Sequence, residues 1–193
     1  KKIIYSSSSG VYGQLNYKGN VKEDAIIQPT SAYSMAKRSC EIYLKYFNKE
    51  TKISSIAIRL FNVYGLRQDE RMVIPRFIYQ AQKNKPITVY GNGKQTRDFT
   101  YIDDCIKVFD LVNKKVNGFN IINSSRGKDF NIKSLAIMIK KRLNSKSKII
   151  KVNVPKKIQE FQVNRRSGDS SKLFKLINYK PSTNLKDGFK KII

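Results

Sequence analysis

Alternation near the start of the chain constrains its fold more than any other feature. Ile3-Ile4-Tyr5 is a short apolar run of the buried-strand type, and Ser6-Ser7-Ser8-Ser9-Gly10 follows directly. Residues 6–29 then read as a loop, carrying Gly10, Gly13, Gly19 and Pro29. Thr30 or Ser31 can cap a helix that continues to about Asn48. Its Ala36, Cys40, Tyr43, Leu44 and Phe47 recur at helical spacing and are expected to face the core. Ile53–Leu60 is the next strand. Strands alternating with helices point to an α/β fold.

The alternation continues downstream. Met72 to Gln82 reads as a helix stopped by Pro86, Thr88–Tyr90 as a short strand, and Asn92-Gly93 as a turn. Asp103-Asp104 opens a helix through Val112 with its acids well placed at the N-terminus. Phe119–Ile122 returns as a strand, Ile132–Leu143 is an amphipathic helix with a basic end, and Ile149–Val154 is β-like. Two short helices are expected at 171–178 and 186–193. There is no internal repeat and no low-complexity linker.

The 193 residues, 40% of them apolar, suffice for one globular domain. No stretch approaches the ~18–20 apolar residues of a membrane span. With no histidine, imidazole catalysis and histidine-ligated metal are excluded. Cys40 and Cys105 lie far apart without metal spacing and read as reduced thiols of a cytoplasmic protein. A net charge of +25 raises the question of nucleic acid. The lysines are spread along the whole chain, with no zinc-finger spacing, basic tail or aromatic-basic RNA signature, which argues against nucleic-acid binding.

Tyr33 and Lys37 stand four residues apart at the start of the first helix and so share one face. An ammonium beside a phenol favours the phenolate, which makes the pair a proton-transfer device. Ser8, just beyond the first strand, stands where open α/β sheets gather their chemistry and can relay a substrate hydroxyl's proton to the tyrosine.

Ser8-Ser-Gly-Val-Tyr-Gly13 followed by Pro29-Thr-Ser-Ala-Tyr33-Ser-Met-Ala-Lys37 resembles the extended short-chain dehydrogenase/reductases, in their NAD-dependent epimerase/dehydratase group. Three later stretches carry the same resemblance: Arg59 to Gly65, Pro86 to Asp104 and Tyr179 to Phe189. The resemblance implies the C-terminal part of a Rossmann-like doubly wound parallel sheet with a small mixed α/β substrate lobe, mainly within 66–118 and 144–193. It places residues 1–193 in one domain whose Gly-rich N-terminal half lies outside this sequence. It also implies a nucleotide-sugar substrate and a homodimer in the full-length form. NAD is the expected cofactor, with NADP left open because the selector after the second strand is not in the sequence.

Carried over residue by residue, the resemblance gives Ser8, Tyr33 and Lys37 catalytic roles, with Tyr33 and Lys37 also on the cofactor. Ser6 and Phe61 match positions near the nicotinamide, although a polar loop and a core aromatic explain them equally. Asn62 matches a diphosphate contact, a turn-forming Asn being the alternative. Val89 and Tyr90 match the segment framing the base, and burial alone would also account for them. Arg97 suits a diphosphate; its alternative is a salt bridge to Asp98 or Asp103. Arg165 or Arg166 can also reach the diphosphate, and Arg166 is assigned to the substrate. Asp169 leans to a structural role by its Ser171-Lys172 neighbours. Members that dehydrate or decarboxylate carry carboxyl residues where this chain has Ser9 and Gly10, which directs the reading to a UDP-hexose 4-epimerase or a 4-keto reductase. With no Gly-rich pyrophosphate cradle, the 193 residues alone are expected to bind NAD weakly or not at all; tight binding by calorimetry would overturn this.

Overall fold

The computed structural model describes residues 1–14, 19–159 and 163–193. At its centre are three parallel strands, β1 (Lys2–Ser8), β2 (Ser54–Leu60) and β7 (Phe119–Ser124), in the order β1-β2-β7. Registers Lys2↔Ser54 and Ser55↔Phe119 align their carboxyl ends. The middle strand is buried on both faces, as a parallel strand covered by helices must be. Ile56 and Ile58 face α3 (Ile102–Lys115) and α6 (Ser171–Ile177), packing with Val108, Val112, Ile122, Leu173 and Ile177. Arg59 faces the other way, toward α1 (Ala32–Thr51). These three layers make an α/β doubly wound arrangement.

The remaining elements build a second core. β3 (Val63–Tyr64) pairs with β6 (Thr100–Tyr101), and β4 (Ile87–Tyr90) with β9 (Ile149–Val152). A small sheet runs β10-β5-β8, from Arg165–Arg166, Thr96–Asp98 and Asp129–Asn131. Helices α2 (Val73–Gln82), α4 (Ile132–Arg142) and α7 (Leu185–Ile192) bury Phe77, Leu135, Ile139 and Phe189 there; the short α5 (Lys156–Gln159) completes the set. Residues 129–142 therefore belong to this second core, whereas α3 and α6 lie on the main sheet; the expected lobe ranges divided these stretches differently. Gly188 lets α7 approach Tyr64, because a Cβ there would lie 2.0 Å from the phenolic oxygen.

Two expectations about the first elements change. The first strand runs on through Ser8, so Ser6–Ser8 belong to the sheet rather than to the loop. On α1 the buried residues are Ser34, Glu41 and Leu44, while Ala36, Cys40 and Tyr43 are exposed. Leu44 is buried as expected and Phe47 half-buried, but hydropathy misplaced the other three because a charged residue holds the inward position. Glu41 is fully buried and pairs with Arg59, Nε to Oε1 and Nη2 to Oε2 both at 2.8 Å. The Ser7 hydroxyl donates to Oε1 at 2.6 Å. Burial works against the Glu41 carboxylate, yet these bonds outweigh it and hold it below the usual carboxylate range.

Asp98 is the second buried acid, and no cation meets it among the described partners. It accepts from the backbone N–H groups of Arg126, Gly127 and Gly168 and from the Ser167 hydroxyl, tying two loops to β5. Burial outweighs these donors and pushes its carboxyl up to about 6.

Removing one partner of a buried ion pair leaves the other charge stranded. Glu41→Ala is expected to lower unfolding stability by about 3–5 kcal/mol in urea denaturation, and a loss below about 1 kcal/mol would mean that Arg59 finds water or another acceptor. For Asp98 the folded-state pKa lies above the unfolded one, so its contribution is present in acid and is lost as pH rises through about 6. Carboxyl-carbon NMR should show Asp98 titrating near 6; a midpoint near the ordinary aspartate value would mean that the four donors fully offset burial.

Candidate active site

The site begins where β1 ends. Ser8 is extended and caps one turn of 3-10 helix, Ser9–Tyr12, its Oγ accepting from Gly10 N at 3.0 Å. That turn lies against the start of α1: a Cβ on Gly10 would stand 3.2 Å from Ser8 Oγ and 3.4 Å from Ser34 Cβ. Ser31 caps α1 reciprocally with Ser34. Tyr33 thus sits in the helix's first turn, beside the strand end that carries Ser8, with 61% of its surface exposed.

Lys37 is held one turn further along. Its Nζ donates to Ser6 O at 2.7 Å and lies 4.7 Å from the Tyr5 ring centroid and 5.6 Å from that of Tyr33. Burial raises the Tyr5 phenol, with a hydrogen bond to Cys40 adding to it, so Tyr5 is a neutral wall for the ammonium. Ser6 itself is exposed and enters through its carbonyl.

A second centre lies beyond this turn. Asn62, Arg71, Met72, Val73, Arg76, Tyr90, Gln95, Arg97 and Ile132 line a cleft of about 210 Å³. Asn62 adopts a left-handed turn (φ 30°) and donates to Asp98 O at 3.0 Å, so it shapes the cleft as well as lining it. Arg97 donates to the carbonyls of Thr96 and Val163. The alternative salt bridge does not form: Asp98 faces backbone donors, and Asp103 pairs with Lys191.

Arg166 stands opposite Arg97 in the β10-β5 register and donates to Gly13 O at 2.7 Å. Burial first, then the neighbouring Arg97 charge, push the Arg166 guanidinium down to about 10. Burial alone depresses Arg97. The two adjacent guanidiniums are therefore held by backbone carbonyls of Thr96, Val163 and Gly13.

Tyr90 apart, the other predicted residues fall outside these centres. Val89 is 1% exposed and packs in the second core, while Tyr90, the next residue, faces the cleft as strand alternation requires. Phe61 is fully buried with Tyr12 and Val11. Arg165 pairs with Asp129, and Asp169 accepts from Ser171 N at 2.7 Å at the start of α6, a structural role. Sequence reasoning missed Arg71, Met72, Val73, Arg76, Gln95 and Ile132; Gln95 alone lies between Tyr90 and Arg97, and the others reach the cleft from α2, the two residues leading into it and the start of α4, which no local signal announces. A larger hollow of about 450 Å³ lies beside β7, where Glu23 accepts from Asn123 N and Lys172 donates to Ile121 O; none of the predicted site residues lines it.

Comparison with known proteins gives this arrangement a family. The family model described as GDP-mannose 4,6 dehydratase matches residues 1–192. A putative UDP-glucose 4-epimerase of Methanocaldococcus jannaschii is 35% identical, over 100% of this chain and 62% of its own length. A UDP-N-acetyl-alpha-D-glucosaminuronate decarboxylase of Bacillus cytotoxicus is 32% identical, over 100% of this chain and 63% of its own. The crystal structure of UDP-glucuronic acid 4-epimerase from Bacillus cereus, in complex with UDP-glucuronic acid and NAD, superposes with a TM-score of 0.88 at 32% identity. That superposition covers 99% of this chain and 60% of the epimerase, so the chain spans somewhat under two thirds of the proteins it matches. Matched by the family model from its first residue to its last but one, the chain belongs to the GDP-mannose 4,6-dehydratase family, within the NAD-dependent epimerase/dehydratase group.

Proposed function

We propose that the protein carrying this chain is an NAD-dependent nucleotide-sugar 4-epimerase of the UDP-hexose type. The observation that carries the reading is the coupling of the two centres: Arg166 grips Gly13 O at the far end of the turn that Ser8 begins. A diphosphate held by Arg97 and Arg166 would thereby leave its sugar directed toward Ser8 and Tyr33. Gly10 favours epimerisation over elimination or decarboxylation. It carries no carboxyl group, and a side chain there would crowd both Ser8 Oγ and Ser34.

The residues present fit the nicotinamide end of NAD. Lys37 offers its ammonium beside an exposed phenol, suited to a ribose hydroxyl, and Ser6 is exposed next to it. When bound, NAD supplies hydride acceptance and return at sugar C4. The chain's own residues do the rest. Ser8 Oγ hydrogen-bonds the sugar O4, and the Tyr33 oxygen takes the O4 proton and later returns it. Lys37 fixes the ribose and keeps positive charge near that transfer.

The exposed apolar side of α1, with Met35, Ile42, Tyr43 and Tyr46, is a surface that a homodimer would cover. The free thiols Cys40 and Cys105 fit a cytoplasmic setting.

The test is NMR of the sugar ring during incubation of the intact gene product with NAD and UDP-sugars. Conversion of a UDP-hexose to its 4-epimer is expected, with kcat falling about a hundredfold or more in Tyr33→Phe. Turnover only with NADH and a 4-keto sugar would replace this reading with a reductase. No turnover by folded protein would make it a non-catalytic relative.

A further inference from the structure

The end of the second core away from the cleft is a different kind of surface. Helices α2 and α4 both begin at the cleft, through Met72, Val73 and Ile132, and pack on each other. With 10 residues, α2 ends about 15 Å further on. There the segments that follow the two helices are stitched together. Ser145 Oγ donates to Ala81 O at 2.7 Å, Lys146 N to Asn84 Oδ1 at 2.9 Å and Ile87 N to Lys148 O at 2.8 Å. These bonds gather Lys83, Lys85, Lys141, Arg142, Lys146 and Lys148 at one end of the core, all of them exposed.

The cluster is more than a share of the chain's general excess of lysine. Residues 71–97 and 130–159, which build α2, β4, α4 and β9, contain no Asp or Glu. Elsewhere acids sit among the lysines, as Asp110 does beside Lys114 on α3 and Asp187 beside Lys190 on α7. None of the six clustered cations forms an ion pair among the described residues. Helix C-termini favour basic residues, but that accounts only for Lys83, Lys141 and Arg142. Lys85, Lys146 and Lys148 lie beyond the helices. The last carbonyls already have donors there: Ser145 Oγ on Ala81 O, and the N–H groups of Lys83, Leu143 and Asn144 on those of Tyr79, Ile139 and Lys141. Like charges gathered without acids repel one another, and such a surface is complementary to an anion spread over a similar area.

The border of the cluster narrows the kind of anion. Tyr79 and Ile150 are exposed there, and Lys85 Nζ lies 5.3 Å from the Tyr79 ring centroid. Lysines beside an aromatic and an aliphatic side chain suit the headgroup boundary of a bilayer, where the cations meet phosphates and the apolar groups dip inward. Nucleic acid is met instead by arginine forks and by several rings on which bases stack. Five of the six cations are lysine, and Tyr79 already carries Lys85 against its face.

We infer that this end of the second core docks on an anionic lipid surface. Such docking is peripheral, and no described helix is long and apolar enough to cross a membrane. The cleft, at the opposite ends of α2 and α4, stays open to its ligand. Each cation close to such a surface strengthens binding about fivefold.

Co-sedimentation of the intact gene product with vesicles tests this, using phosphatidylcholine alone and phosphatidylcholine mixed with phosphatidylglycerol. Binding is expected to the mixed vesicles only, weakening as added salt screens it. Lys85→Glu/Lys146→Glu/Lys148→Glu should weaken it about a hundredfold or more, because three of the cations are gone. Lys175→Glu/Lys180→Glu/Lys186→Glu makes the same change of net charge around α6 and α7 and should stay within about fivefold of the wild type. All six replaced side chains are exposed, so both variants should fold. No binding to the mixed vesicles would overturn the inference. So would an equal loss in the second variant, which would assign binding to net charge. Duplex DNA binding that the first variant loses, while its vesicle binding persists, would assign the cluster to nucleic acid and overturn it as well.

Discussion

The Glu41–Arg59 pair holds the arrangement of the main sheet, its first helix and the turn beside them. It joins α1 to β2 directly, and the groups around it extend the connection. Ser7 on β1 donates to the carboxylate, and Arg59 Nη1 donates to the Tyr12 hydroxyl at 2.8 Å. Tyr12 in turn donates to Asn123 Oδ1 on β7 at 2.7 Å. One buried charge pair therefore reaches all three strands, the helix and the 3-10 turn. Withdrawing such a pair from water is expensive, and only full satisfaction of its donors and acceptors offsets that penalty. Here both carboxylate oxygens and all three guanidinium nitrogens have partners.

This anchor also sets the exposure of the Tyr33–Lys37 stripe. An α-helix turns about 100° per residue, so each four-residue step advances the side chain roughly 40° around the axis. Glu41 points into the interior, Lys37 four residues earlier is half-buried, and Tyr33 another four earlier is mostly exposed. Rotating α1 enough to bury Tyr33 would pull Glu41 from Arg59. The tyrosine is presented to the open side because the glutamate is held inside.

Much of this was legible in the sequence, for reasons that also explain the failures. The central strands and longer helices announced themselves through apolar runs and caps, and Ser31 capping α1 is an example. The inward face of α1 was not legible, because hydropathy ranks Cys40 and Tyr43 above Glu41 and cannot see Arg59 across the sequence. The β10-β5-β8 sheet was invisible for a different reason. Its strands are two or three residues long, with no periodicity to detect, and exist only through pairing with distant backbone. The juxtaposition of Arg97 and Arg166 depends wholly on that pairing. Motif matching could name both arginines, but it could not put them side by side.

Their adjacency links the charge of a bound anion to the fold. Like charges brought together in a partly buried place oppose folding of the segment that carries them, and Arg166 is tied down there by its bond to Gly13 O. Gly13 has φ 66°, and a Cβ there would lie 1.8 Å from Gln28 O, so the carbonyl that Arg166 grips belongs to a turn only glycine can make. An anion between the arginines would relieve their repulsion and firm the grip on that turn. The same turn begins at Ser8. Under the proposed function, the free energy of binding a diphosphate at these arginines would be available to order the Ser8 hydroxyl, as remote binding energy must be when it is to act on the reacting bond.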